Sequence, residues 1–346
     1  MLRRTRKRKK KKSSGVARFL LGIFLLGLVA AIGAGWLVLT PYGPETETFV
    51  EVAPGSTTAA IGRQLEASGV VRSQVAFDLL RFLMRGKLRA GEYRFDHPAP
   101  ATEVYARIAR GDVFTVTLTI PEGANIFDIA ARVERDGFGT RQEFLNAAVD
   151  EAGLVADLDP GAKSLEGYLF PDTYRFARKT KPAQIAAAMV RRFRVEAGQL
   201  GLKENVHKVV TIASLVERET AVEGERPLVA SVFENRLRQN MPLMTDPSVI
   251  YGLELDGRWQ GTLGKGGLGY KTPYNTYLHA GLPPGPVANP GVRSLRAAMH
   301  PAETDYLYFV AAGADAQGRS LFSSTLEEHN QQVAEYRHAM KKAGER

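Results

Sequence analysis

The sequence predicts an α+β protein with a single N-terminal transmembrane helix, a small β/α module and a larger mixed α+β domain. A 21-residue apolar run directly follows a basic N-terminus, a strand–turn–helix pattern occurs twice, and helical patterns from Leu165 onward alternate with turn-rich stretches. We therefore divide the 346 residues into a basic tail (1–15), a transmembrane helix (16–40), a linker (41–48), a small module (49–115) and a larger domain (116–346).

The transmembrane helix is predicted from length and charge. Phe19 to Leu39 is uncharged and almost wholly apolar, and at about 1.5 Å per residue it spans roughly 30 Å, the thickness of a bilayer core. Trp36 and Tyr42 suit the interface at one end, and the basic flank at the other end keeps the N-terminus cytoplasmic. A cleaved signal peptide is the alternative, but its apolar segment usually has about 7–15 residues. The longer run favours an uncleaved anchor.

The positive charge belongs almost entirely to the tail. Residues 3–12 contain nine of the 46 Lys and Arg residues, which leaves 37 basic against 37 acidic residues elsewhere. A neutral body argues against nucleic acid as a partner, and the tail is better suited to anionic membrane lipid than to nucleic acid. The chain has no cysteine and no HExxH pattern, and its six histidines lack close metal-ligand spacing. We predict neither a metal nor a cofactor.

The small module begins with the first copy of the strand–turn–helix pattern. Phe49–Val52 is followed by a turn at Pro54-Gly55 and a helix that ends at Gly69, and 68 residues later Val116–Ile120 starts the second copy. Both copies resemble the glycan-binding LysM pattern, although a generic βα unit fits each copy equally well. Further elements of the module are predicted as a helix at 76–84, a strand at 91–95 and a helix at 102–109.

The larger domain is predicted to be rich in helices. Its helices are expected at 182–197, 204–220, 228–238, 294–300 and 326–342, with turn-rich stretches at 257–269 and 281–291 and a strand pair near 306–310 and 320–323.

The helix that ends near Thr220 carries the most informative carboxyl group. At about 100° per residue, Glu219 lies roughly 20° from Ile212 and 40° from Leu215, whereas Glu217 lies on the opposite face. A carboxyl at the end of an apolar stripe is partly desolvated, which raises its pKa and suits a general acid. The alternative is a structural ion pair between Glu219 and a buried arginine such as Arg236.

Three further stretches combine aromatic, amide, carboxylate and guanidinium groups that suit an oligosaccharide groove. Helix N-caps, Asx turns and core tyrosines are the alternatives, and Asp246 before Pro247 would make a good N-cap. The candidate substrate-binding residues are Glu166, Asp172, Thr173, Asn235, Arg236, Asp246, Tyr274, Asn275, Thr276 and Tyr277.

At these residues the chain resembles the endolytic murein (lytic) transglycosylase family, also called YceG-like or MltG. The matching motifs are Glu166-Gly167 with Pro171–Thr173, Ala213–Thr220, Val232–Leu237, Thr245–Gly252, Tyr274–Tyr277, Gly281–Gly285, Tyr306–Val310 and Glu328–Asn330. Met244 and Ser320 depart from the residues that relatives often have.

The resemblance implies that Glu219, the second glutamate of the Glu-x-Glu-Thr motif, is the catalytic residue. It implies a membrane-anchored enzyme that cleaves the bond between N-acetylmuramic acid and N-acetylglucosamine without water, leaving 1,6-anhydro ends. It further implies peptidoglycan glycan strands and peptidoglycan synthases (penicillin-binding proteins) as partners, and a single-pass location in the bacterial inner membrane. If Asp246, Asp172 or Glu166 positions a water molecule, the enzyme would instead be a hydrolase. A non-catalytic scaffold is the remaining alternative.

Overall fold

The computed structural model describes residues 15–264, 266–313 and 318–344, and the chain separates into two compact units between Thr115 and Val116. The architecture is mixed α+β. Apart from Gly15, the predicted basic tail lies outside the described residues.

The first unit contains one antiparallel strand pair packed against helices. Its elements are α1 (Gly15–Leu39), β1 (Thr48–Val52), α2 (Thr58–Ala67), α3 (Gln74–Met84), β2 (Gly91–Phe95) and α4 (Ala101–Arg110). Strand β1 pairs with β2 in a register that sets Val50 opposite Tyr93. The inward side chains Tyr93 and Phe95 join Phe77 and Tyr105 in a core that excludes water.

Helix α1 contains one segment, Ala17–Leu39, that is long and apolar enough to cross a membrane. Most of its large apolar side chains are exposed, but Val38 at its end is buried in the core of the first unit. Within the predicted linker at 41–48, Tyr42 exchanges backbone hydrogen bonds of 3.1 and 3.0 Å with Ala99. The end of α1 and the first unit are therefore packed together.

The second unit is built around a long buried helix. Its elements are β3 (Val116–Thr119), α5 (Ile126–Arg135), α6 (Arg141–Asp150), β4 (Thr173–Phe176), α7 (Pro182–Leu200), α8 (Val206–Glu219), α9 (Arg226–Arg238), α10 (Asp246–Leu255), α11 (Val292–Met299), β5 (Tyr308–Ala311), β6 (Ser320–Ser323) and α12 (Leu326–Gly344). Helix α8 packs against α9, α10 and α11, and its residues from Val210 to Val216 are all buried.

The two strand–turn–helix copies share their turn geometry. Gly55 and Gly123 both have a positive φ, of 79° and 78°, which glycine adopts without the steric cost that other residues meet. In the second copy, however, β3 pairs with β4, a strand that the sequence pattern does not predict. The sequence patterns also do not predict helix α6, and they indicate the beginning of α10 only through the N-cap alternative for Asp246.

Candidate active site

Glu219 is the last residue of α8, and its side chain lines a cleft. The residue continues the stripe formed by Ile212 and Leu215, both fully buried, as the helical periodicity indicated. Thr220 then leaves the helix in an extended conformation. The glutamate is therefore the last residue of a helix whose preceding turns are buried among other helices.

Glu217, the other glutamate of the same motif, has a different environment. Its side chain is 4% exposed and accepts hydrogen bonds from the Arg226 guanidinium and the Gly291 backbone N–H, both at 2.9 Å. Glu217 thus forms a buried ion pair on the other face of α8. The two glutamates therefore point to different faces of α8 and have different surroundings, an ion pair for Glu217 and a cleft for Glu219.

The cleft beside Glu219 has a volume of about 360 Å³. It is open to solvent and combines charged, aromatic and apolar side chains. Its lining residues come from α8, α9, α10, α12, β5 and the loops before α10 and around Tyr277: Glu219, Arg236, Leu243, Met244, Asp246, Tyr277, Phe309 and His329.

The carboxyl of Glu219 has a strongly perturbed acidity. Burial raises the pKa of Glu219 to about 7, and the negative charge of Asp246 raises it further, while Arg236 and Arg218 act in the opposite direction. Within the described residues, the carboxyl forms no hydrogen bond and no ion pair closer than 4.0 Å. The structural ion pair with Arg236 is therefore not formed. No other group among the described residues forms a hydrogen bond with the carboxyl of Glu219.

Arg236 is fixed in the wall of the cleft by backbone carbonyl groups. Its Nε donates to the carbonyl oxygen of Leu307 at 2.7 Å, and Nη1 donates to that of Leu243 at 2.8 Å. The guanidinium also lies over the Tyr308 ring, 5.4 Å from its centre. Burial lowers the pKa of Arg236, yet an arginine stays protonated in proteins. It supplies a positive charge of fixed position.

Asp246 and Tyr277 form a polar pair on another side of the cleft. The Tyr277 hydroxyl donates to Oδ1 of Asp246 at 2.6 Å. Asp246 is the first residue of α10, whose N-cap is Thr245, so the N-cap interpretation of Asp246 is wrong by one residue. Its carboxylate is consequently free of a capping role and lines the cleft.

Several cleft residues were not among the predicted site residues. His329 stacks on Tyr308 with ring centres 5.1 Å apart, and its buried Nδ1 has no hydrogen-bond partner among the described residues. Burial and then the charge of Arg236 lower the pKa of His329, which favours the neutral imidazole. Phe309 and His329 lie in motifs that carry the family resemblance, and these motifs are the sequence feature that could have identified them as cleft residues. No sequence feature points to Leu243.

Met244 marks a strained position beside the cleft. It is half exposed and has a φ of 54°, a left-handed conformation that is unfavourable for residues with a branched or long side chain. Its backbone N–H donates to the carbonyl oxygen of Thr276 at 3.1 Å. The Met244 backbone is thus held to the loop that carries Tyr277.

The predicted residues 274–276 support that loop from behind. Asn275 is fully buried and donates to the carbonyl oxygens of Leu268 and Tyr270. The Thr276 hydroxyl accepts from the Thr245 N–H at 3.0 Å. Tyr274 packs against Tyr251 with ring centres 5.0 Å apart. Among the four consecutive residues, Tyr277 is the one that lines the cleft.

The remaining candidates lie outside the cleft. Asp172 forms a 2.7 Å ion pair with Arg192, and Thr173 begins β4, where its hydroxyl is 3.2 Å from that of Thr119. Asn235 donates to two carbonyl oxygens, of Thr304 and Tyr306. These contacts stabilise the fold, and substrate binding by these residues remains an untested prediction.

Glu166 is a buried carboxyl of the protein interior. It accepts from the Ile126 N–H at 2.9 Å and from the Asn289 amide at 2.8 Å. Burial raises the pKa of Glu166 to about 8. Gly167 beside it has a φ of 88°, and a Cβ there would lie 2.5 Å from Pro286. The local chain is therefore too closely packed for a larger residue.

The comparisons with known proteins agree with one another. The model of the YceG-like family matches residues 50–335. The endolytic murein transglycosylase of Bacillus subtilis is 33% identical over 326 residues, which cover 87% of this chain and 89% of the relative. That of Streptococcus pneumoniae is 30% identical, and the match covers 93% of this chain and 65% of the longer relative.

A solved structure gives the same result. The crystal structure of a YceG-like protein from Listeria monocytogenes aligns with a TM-score of 0.54 and 32% identity, and the alignment covers 83% of this chain and 99% of that protein.

No group of three or more His, Asp or Glu residues suited to a metal ion occurs in the described part of the chain.

Proposed function

From the premise that this chain belongs to the YceG-like family, we propose that it is an endolytic peptidoglycan lytic transglycosylase in which Glu219 is the general acid and base. Relatives from two bacteria carry the name endolytic murein transglycosylase. The observation that carries the residue assignment is an unpaired carboxyl with a pKa of about 7 in an open cleft.

The acid step depends on the protonated form of Glu219. It donates its proton to the glycosidic oxygen between N-acetylmuramic acid and N-acetylglucosamine while the bond to the muramoyl C1 breaks through an oxocarbenium-like state. A carboxyl with a pKa near 7 is substantially protonated at neutral pH, whereas an ordinary glutamate is almost fully ionised. Because burial raises its pKa, Glu219 can therefore serve as the proton donor at neutral pH.

The base step returns the proton to Glu219. The muramoyl C6 hydroxyl attacks C1, the carboxylate takes the hydroxyl proton, and a 1,6-anhydro ring closes. The leaving N-acetylglucosamine keeps the first proton, so the enzyme is regenerated and no water is consumed. One carboxyl performs both steps because the nucleophile belongs to the substrate.

The neighbouring charges have separate roles in this reaction. Asp246, held by Tyr277, adds negative charge to the cleft, which favours the protonated form of Glu219 and the positively charged sugar in the transition state. Arg236 is a fixed donor for substrate hydroxyl or carboxylate groups. Asp246 is also the one other carboxylate among the described cleft residues, so it would position the water in a hydrolase.

The anchor gives this activity a location. We infer that α1 spans the bacterial inner membrane once, with the basic tail on the cytoplasmic side near anionic lipid and the chain after α1 on the outer side. The enzyme would then trim or terminate nascent glycan strands close to the peptidoglycan synthases that make them. Glycan binding by the LysM-like first unit belongs to the same proposal.

A digestion of purified peptidoglycan with matched variants tests the function. Glu219→Gln should abolish glycan cleavage while the protein stays folded, because the amide cannot donate and recover the proton. Glu204→Gln, at an exposed glutamate outside the cleft, is the matched control and should cleave at the wild-type rate. Full cleavage by folded Glu219→Gln would instead support the scaffold alternative.

A further inference from the structure

Helix α3 has an apolar face that the first unit does not cover. Phe77 and Leu80 on one side of the helix are buried in the core. Four more apolar side chains lie within an arc of about 100° beside that buried side. They are Val75, Leu79, Phe82 and Leu83, with exposed fractions of 75%, 41%, 71% and 65%. Polar residues occupy the rest of the circumference. Exposed apolar faces of this kind mark interaction sites.

The beginning of α3 is fixed to the end of the spanning helix. The Arg72 guanidinium lies 4.5 Å from the centre of the Trp36 ring and 4.6 Å from that of Tyr42. Helix α3 packs against α1 directly. Because aromatic residues at the end of a spanning helix lie at the membrane–water interface, Arg72 holds the first turn of α3 at that depth.

The charges of the segment that contains α3 match a lipid surface. Residues 72–89 contain five Lys or Arg residues and a single acid, Asp78. Basic residues beside an exposed apolar face are typical of helices that lie in the interface of anionic bilayers. A protein partner would have no comparable reason to coincide with the interfacial aromatic residues of α1.

We propose that the outer face of α3, defined by Val75, Leu79, Phe82 and Leu83, is embedded in the outer leaflet of the membrane that α1 crosses. The part of the first unit that follows α1 is then held on the bilayer surface by two attachments, the spanning helix α1 and the interfacial helix α3. This inference rests on the proposed membrane insertion of α1 and is independent of the catalytic assignment.

The absence of cysteine allows a direct test by single-site labelling of the full-length protein. Val75→Cys carries an environment-sensitive fluorophore on α3, and Val149→Cys carries it at a matched exposed valine on α6. Val29→Cys reports the insertion of α1. The proteins are reconstituted in phosphatidylethanolamine–phosphatidylglycerol vesicles, at a ratio that leaves most vesicles with one chain. Quenching is measured with doxyl-labelled lipid and with aqueous iodide.

The expected result is at least threefold stronger quenching by doxyl lipid at position 75 than at position 149, and correspondingly weaker quenching by iodide. Equal iodide quenching at 75 and 149, with Val29→Cys quenched by doxyl lipid, would overturn the inference and leave the anchor intact. Loss of doxyl quenching at position 29 would refute the anchor itself. Protection of position 75 only in vesicles with several chains would assign the face to a second copy and also overturn the inference.

Discussion

The Glu219→Gln variant should gain stability relative to the wild-type protein as the pH rises. A pKa of about 7 in the folded state, against an ordinary 4.5, means that the stability Glu219 contributes is fully present below pH 4.5 and is lost as the pH rises through 7. One pKa unit corresponds to 1.36 kcal/mol. The difference between 4.5 and about 7 therefore lowers the free energy of unfolding of the wild-type protein by about 3 kcal/mol at pH 8. The neutral amide avoids this loss, because it has no charged form to desolvate.

Thermal unfolding of the full-length protein in detergent at pH 4.5 and pH 8.5 measures the effect. The difference in Tm between Glu219→Gln and wild type should widen by roughly 6–12 °C between these pH values for a unit of this size. Other carboxyl groups titrate in both proteins and cancel. A gap that does not change with pH would refute the account of a desolvated, unpaired carboxyl.

Glu217→Gln is the matched control two residues away. It removes the charge that balances Arg226, whose side chain is 6% exposed and whose Nε and Nη1 already lack partners among the described residues. Leaving a buried charge unpaired costs about 3 kcal/mol. We therefore expect a lower Tm at pH 8.5, opposite in sign to Glu219→Gln, and a stabilised Glu217→Gln would contradict the assignment of the two glutamates.

Three further expectations follow from the perturbed carboxyl groups. The kcat/KM of glycan cleavage should decline as the pH rises through about 7, because Glu219 must be protonated to act; a pH–rate profile flat from pH 5 to 9 would contradict this. Asp246→Asn should move that decline to lower pH, since the charge of Asp246 helps to raise the pKa of Glu219; an unchanged midpoint would exclude the coupling. Because the pKa of Glu166 is raised to about 8, its contribution to the stability of the protein is lost as the pH rises from 4.5 through 8. The Tm of Glu166→Gln should therefore change less between pH 5 and 9 than that of wild type.

The predictions from helical periodicity and from the apolar run agree with the structure. The apolar run of α1 and the face of α8 that carries Glu219 depend on local patterns, which a sequence displays directly. The separation of Glu219 from Glu217 followed from helix geometry alone, and the ion pair of Glu217 with Arg226 gives its physical reason.

The composition of the cleft could not be read in the same way. Asp246, Tyr277 and His329 come from separate elements, and only the tertiary fold brings them to Glu219. Asn235 and Glu166 are polar residues in informative motifs, but their hydrogen bonds to distant groups hold the fold together. A sequence shows that a polar residue is present, and not which partner satisfies it.

Digestion of peptidoglycan in H₂¹⁸O, followed by mass spectrometry of the new glycan ends, tests the central claim most directly. Wild-type protein should release 1,6-anhydro ends, lighter by one water than reducing ends and without ¹⁸O, and Glu219→Gln should release none. New reducing ends that contain ¹⁸O and form only in the presence of the wild-type protein would show that water is the nucleophile, and would contradict the single-carboxyl mechanism.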